Sequence, residues 1–308
     1  MVETVFEAEL PVAERLIIQK NRIEGRPGGP RIAVVTGVHG DELEGQLVAY
    51  QLARQLREDI GKLHGTVDIY PAINPLGISS IKRGVPTFDI DLDRTFPGSP
   101  EGNLTQVMAA AVIDDIRGAD VCVDIHASNI FLRELPQIRV NERQEEALMP
   151  VAPLLNVNFV WVRASTTEAE STLAYSLNAL DTPCLVVESG VGMRLTEDYG
   201  FRLTEGLLHL IAHYGGWDGG VIEFPPPLVA RDDRVELLHA DAPGIFLPRA
   251  EHGTSVDPGQ VIGIICDPLT GTLKSEVRCR EGGLLFTLRE YPVVYPGSLV
   301  ARILGGDR

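Results

Sequence analysis

Two patterns of apolar residues alternate along the first 215 residues of the chain. Short runs rich in Val and Ile show little polar alternation, which is typical of strands covered on both faces of a sheet. Segments with apolar residues at helical spacing follow several of these runs. This order predicts an α/β fold with a mostly parallel mixed sheet and helices on both faces. The predicted strands are 31–38, 66–73, 120–127, 158–164 and 183–190, and the predicted helices are 42–57, 103–117, 142–155, 168–180 and 197–214.

The pattern changes at residues 217–231, where Gly-Gly and three consecutive prolines predict a linker. Short apolar segments bounded by Gly, Pro or Asp follow, and no useful helical pattern remains. We therefore expect an α/β domain at residues 1–220 and a small all-β domain at residues 229–308. The second resembles the barrel-like sandwich of biotinyl and lipoyl carriers, but Lys274 lacks a carrier's hairpin setting. We expect it to shape a pocket entrance or to mediate contacts between copies of the chain.

The overall charge excludes some classes of partner. The formal net charge is −16 and the sequence pI is about 4.8. A field of this sign repels polyphosphate backbones, so nucleic acid is not an expected partner. The N-terminus is acidic where a signal peptide would be basic, and no apolar run is long enough to span a membrane. We expect a cytoplasmic protein with no membrane partner.

Histidines and acidic residues stand at the ends of predicted strands. His39 and Glu42 follow the first strand, and His126 ends the third, where Asp124 shares its orientation because residues two apart face the same side. A lone histidine at a strand end is usually only hydrogen-bonded, but ligands of α/β proteins bind at this edge of the sheet. Two imidazoles and one carboxylate are a common catalytic zinc set with an open position for water. The three residues are candidate ligands of one zinc ion.

Charged residues near the same edge are candidates for catalysis. Residues 74–98 form a long turn-rich segment that contains Arg83 and Arg94. An arginine near a metal binds a substrate carboxylate or a developing oxyanion, although a solvated, charge-balanced loop is the alternative. Glu188 ends the fifth strand and is a candidate general base, or else a helix cap or the partner of an arginine.

Three further residues are candidate substrate contacts. Asn74 begins the long segment, and Ser128 directly follows the third strand. The alternative for Ser128 is that it only ends the strand. Arg133 lies in a predicted loop that starts at the site. With Arg139 and Arg143, it is alternatively part of a solvated face.

The order of these motifs resembles the succinylglutamate desuccinylase/aspartoacylase branch of the zinc carboxypeptidase superfamily. The resemblance covers roughly residues 30–215, and it depends on the order and spacing of several motifs together. The matching motifs are H-x-x-E (His39 to Glu42), N-P-x-G (Asn74 to Gly77), Arg83, D-L-x-R-x-F-P-G (Asp91 to Gly98), D-x-H (Asp124 to His126) and Glu188.

The resemblance implies a role for each matching residue. One Zn²⁺ per chain would be bound by His39, Glu42 and His126, which makes residues 1–220 a zinc hydrolase catalytic domain. Asp91 would orient the ring of His39. The remaining roles would be general base for Glu188, polarisation of the scissile carbonyl for Arg83, and binding of a charged substrate group for Arg94.

One position departs from the branch, which usually reads D-L-N-R. The Asn and Arg of that motif bind a carboxylate together, whereas this chain has Asp93 beside Arg94. An ionised aspartate would repel an incoming carboxylate by up to a few kcal/mol at an effective dielectric near 20. Three outcomes are open: neutralisation of the arginine, a substrate with an amine or neutral group there, or loss of activity. We expect a substrate less acidic than N-acetylaspartate or succinylglutamate.

These observations predict a zinc-dependent amidohydrolase that removes an acyl group from a small N-acylated amino acid or related amine. The alternatives are a metallocarboxypeptidase that acts on short peptides and a non-catalytic metal-dependent binding protein. A retained Glu188 and Arg83 argue against the last alternative, because binding alone needs no base. The expected partners are the small N-acyl substrate and, as an open alternative, further copies of the chain.

Overall fold

A computed structural model describes residues 1–87, 89–165 and 171–305. Part of the predicted helix 168–180, and residues 306–308, lie outside the described residues. The helices are α1 (Glu44–Glu58), α2 (Pro75–Ser80), α3 (Leu104–Ile116), α4 (Glu145–Leu148), α5 (Leu173–Asn178) and α6 (Glu197–His213). The strands are β1 (Val2–Glu9), β2 (Arg15–Glu24), β3 (Arg26–Thr36), β4 (His64–Tyr70), β5 (Val121–Ala127), β6 (Leu132–Asn141), β7 (Phe159–Arg163), β8 (Cys184–Gly190), β9 (Leu228–Arg231), β10 (Val235–His239), β11 (Gly244–Pro248), β12 (Ser255–Val256), β13 (Val261–Asp267), β14 (Thr272–Arg278), β15 (Gly283–Arg289), β16 (Val293–Val294) and β17 (Leu299–Gly305).

Within the described residues, thirteen strands form one mixed sheet, and ten of them follow the order β1-β2-β4-β3-β5-β8-β6-β15-β17-β10. At its centre β4, β3, β5 and β8 are parallel neighbours. The β1–β2 hairpin pairs antiparallel with β4, and β6 pairs antiparallel with β8. The parallel arrangement expected from the sequence therefore holds for the centre of the sheet, whereas its flanks are mainly antiparallel.

Alternate residues of the central strands enter two separate hydrophobic cores. Ile32 and Val34 of β3 pack with α1 and α6, whereas Ala33 and Val35 pack with α3 and α5. Helices therefore cover both faces, because successive strand residues point to opposite sides. Cys122 of β5 belongs to the core on the α3 and α5 side. By the same alternation, the other even-numbered residues of β5 face that side.

The element predictions fail where charge or proline interrupts the pattern. The predicted helix 142–155 is only the four-residue α4 flanked by 3-10 turns at Glu142–Gln144 and Ala152–Leu155. Pro150 and Pro153 explain the break, because proline lacks an N–H donor and clashes with the preceding turn. The predicted loop after β5 is instead the strand β6. Most residues of β6 are buried, but its polar side chains give the sequence the pattern of a loop. The apolar pattern also does not predict β1 and β2.

The C-terminal strands continue the main sheet. β15 pairs antiparallel with β6, which joins β10, β12, β15 and β17 to the central strands, and β9 pairs with β7. β11, β13, β14 and β16 form a separate four-stranded sheet. The boundaries at residues 220 and 229 and the barrel-sandwich topology stay predictions. No helix in the described ranges has the length and apolarity needed to cross a membrane.

Candidate metal centre and its cavity

The turn between β3 and α1 carries the first two candidate ligands, His39 and Glu42. Gly40 packs so closely on the first turn of α2 that an added Cβ atom would lie 2.0 Å from the backbone of Gly77. Its N–H also donates to the carbonyl of Arg83 at 3.1 Å. These two contacts fix the turn against the following loop. Both candidate side chains are buried.

Ligand atoms of three residues, from the turn after β3 and from the end of the neighbouring strand β5, converge on one point. The Nδ1 atoms of His39 and His126 are 3.2 Å apart, and the two oxygens of Glu42 lie 2.9 and 3.1 Å from them. A tetrahedral ion with bonds of about 2.0–2.1 Å separates neighbouring ligand atoms by roughly 3.3 Å. The residues therefore fit a single metal ion of zinc size.

A carboxylate orients each imidazole through its other nitrogen. Asp91 lies 3.0 Å from Nε2 of His39, and Asp124 lies 3.0 Å from Nε2 of His126. This pairing holds the Nε2 proton and leaves Nδ1 as a metal ligand. Burial opposes the charge of Asp91, but the hydrogen bond to His39 and the guanidinium of Arg83 hold the pKa of Asp91 well below its ordinary value.

The candidate base, Glu188, stands directly beside His126 because the two are register partners on parallel β5 and β8. Its Oε1 accepts a hydrogen bond from Nη1 of Arg139 at 2.8 Å. Burial raises the pKa of Glu188 to about 7, although Arg139 opposes the shift. A carboxylate with such a pKa exchanges protons near neutrality, which is what general acid–base chemistry needs.

These groups open into one cavity of about 560 Å³, a volume suited to a small molecule. Arg83, Asp93, Arg94 and Ser128 line it, as do the candidate metal ligands and base. Asn74 and Arg133 are not among its lining residues. Asn74 is fully buried and caps α2 by accepting the N–H of Gly77, because a helix begins directly after it.

One predicted substrate contact, Arg133, and one predicted catalytic residue, Arg83, pair with glutamates of the protein. Arg133 lies on β6 and forms an ion pair with Glu290. Nη1 of Arg83 donates to Oε1 of the candidate ligand Glu42 at 2.7 Å, so this guanidinium is held directly beside the centre.

Asp93 lies deep in the cavity wall. The N–H of Leu173 donates to its Oδ1 at 3.2 Å, and Nη1 of Arg94 lies 3.9 Å from Oδ2. Burial raises the pKa of Asp93 to about 6, an effect that the nearby Asp124 increases and His126 opposes. The departure from the family motif thus places a carboxyl group where the family has a neutral amide.

Sequence reasoning missed an alternating row of charges behind the base. Arg139 bonds to Glu188 and also to Glu134 at 3.0 Å, and Arg302 of β17 bonds to the other oxygen of Glu134 at 2.5 Å. Arg139 is not part of a solvated face, because its guanidinium pairs with the buried carboxylates of Glu134 and Glu188. The available signal was the E-L-P-Q-I-R spacing, which places Glu134 and Arg139 close to Glu188 only once β6 is known to pair with β8.

The fold and this cluster define an α/β protein with a candidate mononuclear metal centre. Residues 28–214 match the model of the succinylglutamate desuccinylase/aspartoacylase catalytic domain, which is more than half of the chain. The chain therefore belongs to this family, as its motifs predicted.

Known relatives cover nearly the whole chain. An N-alpha-acetyl-L-2,4-diaminobutyric acid deacetylase of Halomonas elongata is 26% identical over 290 residues, which are 90% of this chain and 83% of the relative. A succinylglutamate desuccinylase structure from Silicibacter sp. TM1040 has a TM-score of 0.84 at 22% identity, covering 98% and 95% of the two chains. The product-bound ectoine utilization protein EutE of Ruegeria pomeroyi has a TM-score of 0.81 at 21% identity, covering 95% and 90%. At these identities the two structures show a shared fold.

The convergent ligand atoms predict a metal content that depends on His126. We expect elemental analysis of the purified protein, after incubation with Zn²⁺ and desalting, to find about one ion per chain. His126→Ala should lose most of this metal, whereas His213→Ala, which alters an exposed histidine of α6, should keep it. Equal metal content in the two variants would contradict the assignment.

Proposed function

We propose that the protein is a zinc-dependent amidohydrolase that removes an acyl group from a small N-acylated amino acid. The observation that carries this proposal is the convergence of His39, Glu42 and His126 next to Glu188 at one end of a small cavity. Pure binding does not need a buried carboxyl group with a pKa near neutrality. The family and the printed name of the Halomonas relative support the same class of reaction.

Mixed imidazole and carboxylate ligation favours zinc among the divalent metals. When bound, Zn²⁺ would supply a Lewis acid that polarises the carbonyl and lowers the pKa of water from about 15.7 toward roughly 7. His39, Glu42 and His126 would hold it, with Asp91 and Asp124 fixing the two rings.

The protein's own residues would move the proton and stabilise charge. Glu188 accepts a proton from the attacking water and later donates it to the leaving nitrogen, so that the amide and water become a carboxylic acid and an amine. Arg139 keeps the carboxylate of Glu188 in place between these steps. The guanidinium of Arg83 stabilises the negative charge that develops on the carbonyl oxygen.

The carboxyl group of Asp93 favours a substrate that carries an amine. A buried carboxyl group in the cavity wall repels a substrate carboxylate and attracts an ammonium group. The Halomonas relative is named for a diaminobutyric acid, which has a second amine. We propose an N-acetylated diamino acid as the substrate class, with Asp93 beside the free ammonium group and the amide at the metal centre.

The titration of Glu188 predicts an acid limb in the pH profile. Because the base must be deprotonated, kcat/KM should fall as the pH drops through the raised pKa of Glu188, at a midpoint above the ordinary glutamate range. In Arg139→Gln the loss of the positive charge should raise this midpoint further. Arg139→Lys keeps a positive charge, so its midpoint should lie between those of the unaltered protein and Arg139→Gln. Profiles of kcat/KM against pH for the three proteins test this. A midpoint unchanged in Arg139→Gln would show that the arginine does not act on the base.

The position of Arg83 predicts a loss of rate without a loss of metal. Removing a donor to a developing oxyanion typically costs about 10²–10³ in rate. We expect Arg83→Ala to lower kcat by that order while zinc content stays unchanged. Steady-state kinetics and elemental analysis on the same preparation measure both quantities, and an unaltered kcat would remove Arg83 from the mechanism.

The charge of Asp93 predicts a change of substrate preference. A panel of Nα-acetyl-L-2,4-diaminobutyrate, N-acetyl-L-aspartate and N-succinyl-L-glutamate should show the first as the best substrate. Asp93→Asn restores the family's amide and should lower kcat/KM for the diamino acid by about tenfold or more while raising it for N-acetyl-L-aspartate. Zinc-loaded protein that hydrolyses no member of the panel, with or without chelator, would favour a binding protein instead.

A further inference from the structure

The cavity wall has a second charged region, which begins with Arg139 behind Glu188. Three guanidinium groups surround the indole ring of Trp161, and all three arginines line the cavity. Their Cζ atoms lie 4.9 Å (Arg163), 5.8 Å (Arg302) and 5.9 Å (Arg139) from the ring centroid. The aromatic face stabilises these cations and fixes their planes.

The three arginines differ in how they are paired. Glu188 and Glu134 accept the hydrogen bonds of Arg139, and Glu134 also pairs with Arg302. Arg163 lies 3.8 Å from Asp232 Oδ1, which is too long for a hydrogen bond. The carboxylate of Asp232 already accepts the indole N–H of Trp161 at 2.9 Å and the N–H of Ala164 at 3.0 Å.

Arg163 is therefore the arginine whose donors are least committed among the three that surround Trp161. Its side chain is 47% exposed, so an incoming molecule can reach it. Burial and the positive charges of Arg139 and Arg302 lower the pKa of Arg163. A bound anion next to Arg163 would offset this repulsion.

We propose that Arg163, held against Trp161 and lining the cavity, binds the carboxylate of the substrate. This inference rests on the proposed function and adds a specificity-determining contact to it. At Arg94 the neutral Asn of the family motif is replaced by the buried Asp93, which adds a negative charge to the cavity wall, so we assign the carboxylate-binding role to Arg163 of β7. A planar guanidinium held on an aromatic ring suits bidentate binding of a carboxylate.

Two parts of the cavity wall then recognise opposite charges. Asp93 attracts an ammonium group, and Arg163 attracts a carboxylate, so the preferred molecule carries both. A dicarboxylate such as N-acetyl-L-aspartate would satisfy only one of these contacts. With Arg163 binding the carboxylate, the carboxylate-binding Asn of the family motif can be replaced by Asp93 while the substrate keeps a contact for its carboxylate.

The test compares an acid with its neutral amide. Nα-acetyl-L-2,4-diaminobutyrate and its primary carboxamide differ only in the charged group that Arg163 would bind. We expect Arg163→Gln to raise KM for the acid about 10- to 100-fold, with little change in kcat and none in KM for the carboxamide. Arg163→Lys keeps the positive charge but cannot form two parallel hydrogen bonds, so its KM for the acid should lie between those of the unaltered protein and Arg163→Gln. Arg231→Gln, an exposed arginine of neighbouring β9 that pairs with Glu145, is the matched control and should behave like the unaltered protein.

Binding measurements separate this inference from the proposed function. Calorimetric titration of the zinc-loaded protein with L-2,4-diaminobutyrate and with its carboxamide should show a preference for the acid that Arg163→Gln abolishes. If nothing in the panel is hydrolysed but this preference is found, the proposed function fails and the carboxylate site stands. If the acid and the carboxamide bind or react equally well, or if Arg163→Gln keeps the preference, the carboxylate site is refuted.

Discussion

Parallel pairing of β5 with β3 on one side and β8 on the other is the constraint on which the site depends. It brings the turn after β3, the end of β5 and the end of β8 to one edge of the sheet. His39, His126 and Glu188 come from positions far apart in the chain, and only this pairing makes them neighbours. The polar atoms of these buried groups are costly to bury unpaired. Their mutual contacts, and the carboxylates of Asp91 and Asp124 behind the rings, offset that cost.

The sequence predicts the centre of this arrangement well. Long apolar runs identify the central strands because both of their faces are covered, and a histidine or glutamate at the end of such a run stands out. The position of these ends at one edge follows from the parallel order alone. For this reason the cluster of His39, Glu42 and His126 could be predicted before any coordinates, whereas the orienting position of Asp91 followed from the resemblance to the family. The predicted roles of Glu188 and Arg83 in catalysis belong to the proposal.

The rest of the site depends on strand pairing and on charge pairs between strands, which the local sequence pattern does not reveal. Glu134 and Arg139 give β6 the polarity of a loop, but each meets an opposite charge on another strand, Arg302 of β17 for Glu134 and Glu188 of β8 for Arg139. Arg302 reaches this row through the contact of β15 with β6. Asn74 shows the opposite error, because a polar residue in a motif is used to cap α2. Side chains that serve charge pairing or capping look functional in a sequence, and only the tertiary contacts distinguish them.

The row formed by Glu188, Arg139, Glu134 and Arg302 carries no net charge, which has a consequence for how related chains diverge. Loss of one member of a buried ion pair typically costs about 3–5 kcal/mol, whereas coordinated replacement by apolar residues of similar volume is often neutral. Glutamates and arginines on three strands are thus tied to one another through electroneutrality. In an alignment of relatives, the positions of Arg139, Glu134 and Arg302 should covary. A substitution that removes the charge of Arg302 on β17 should be accompanied by a compensating change at Glu134 on β6.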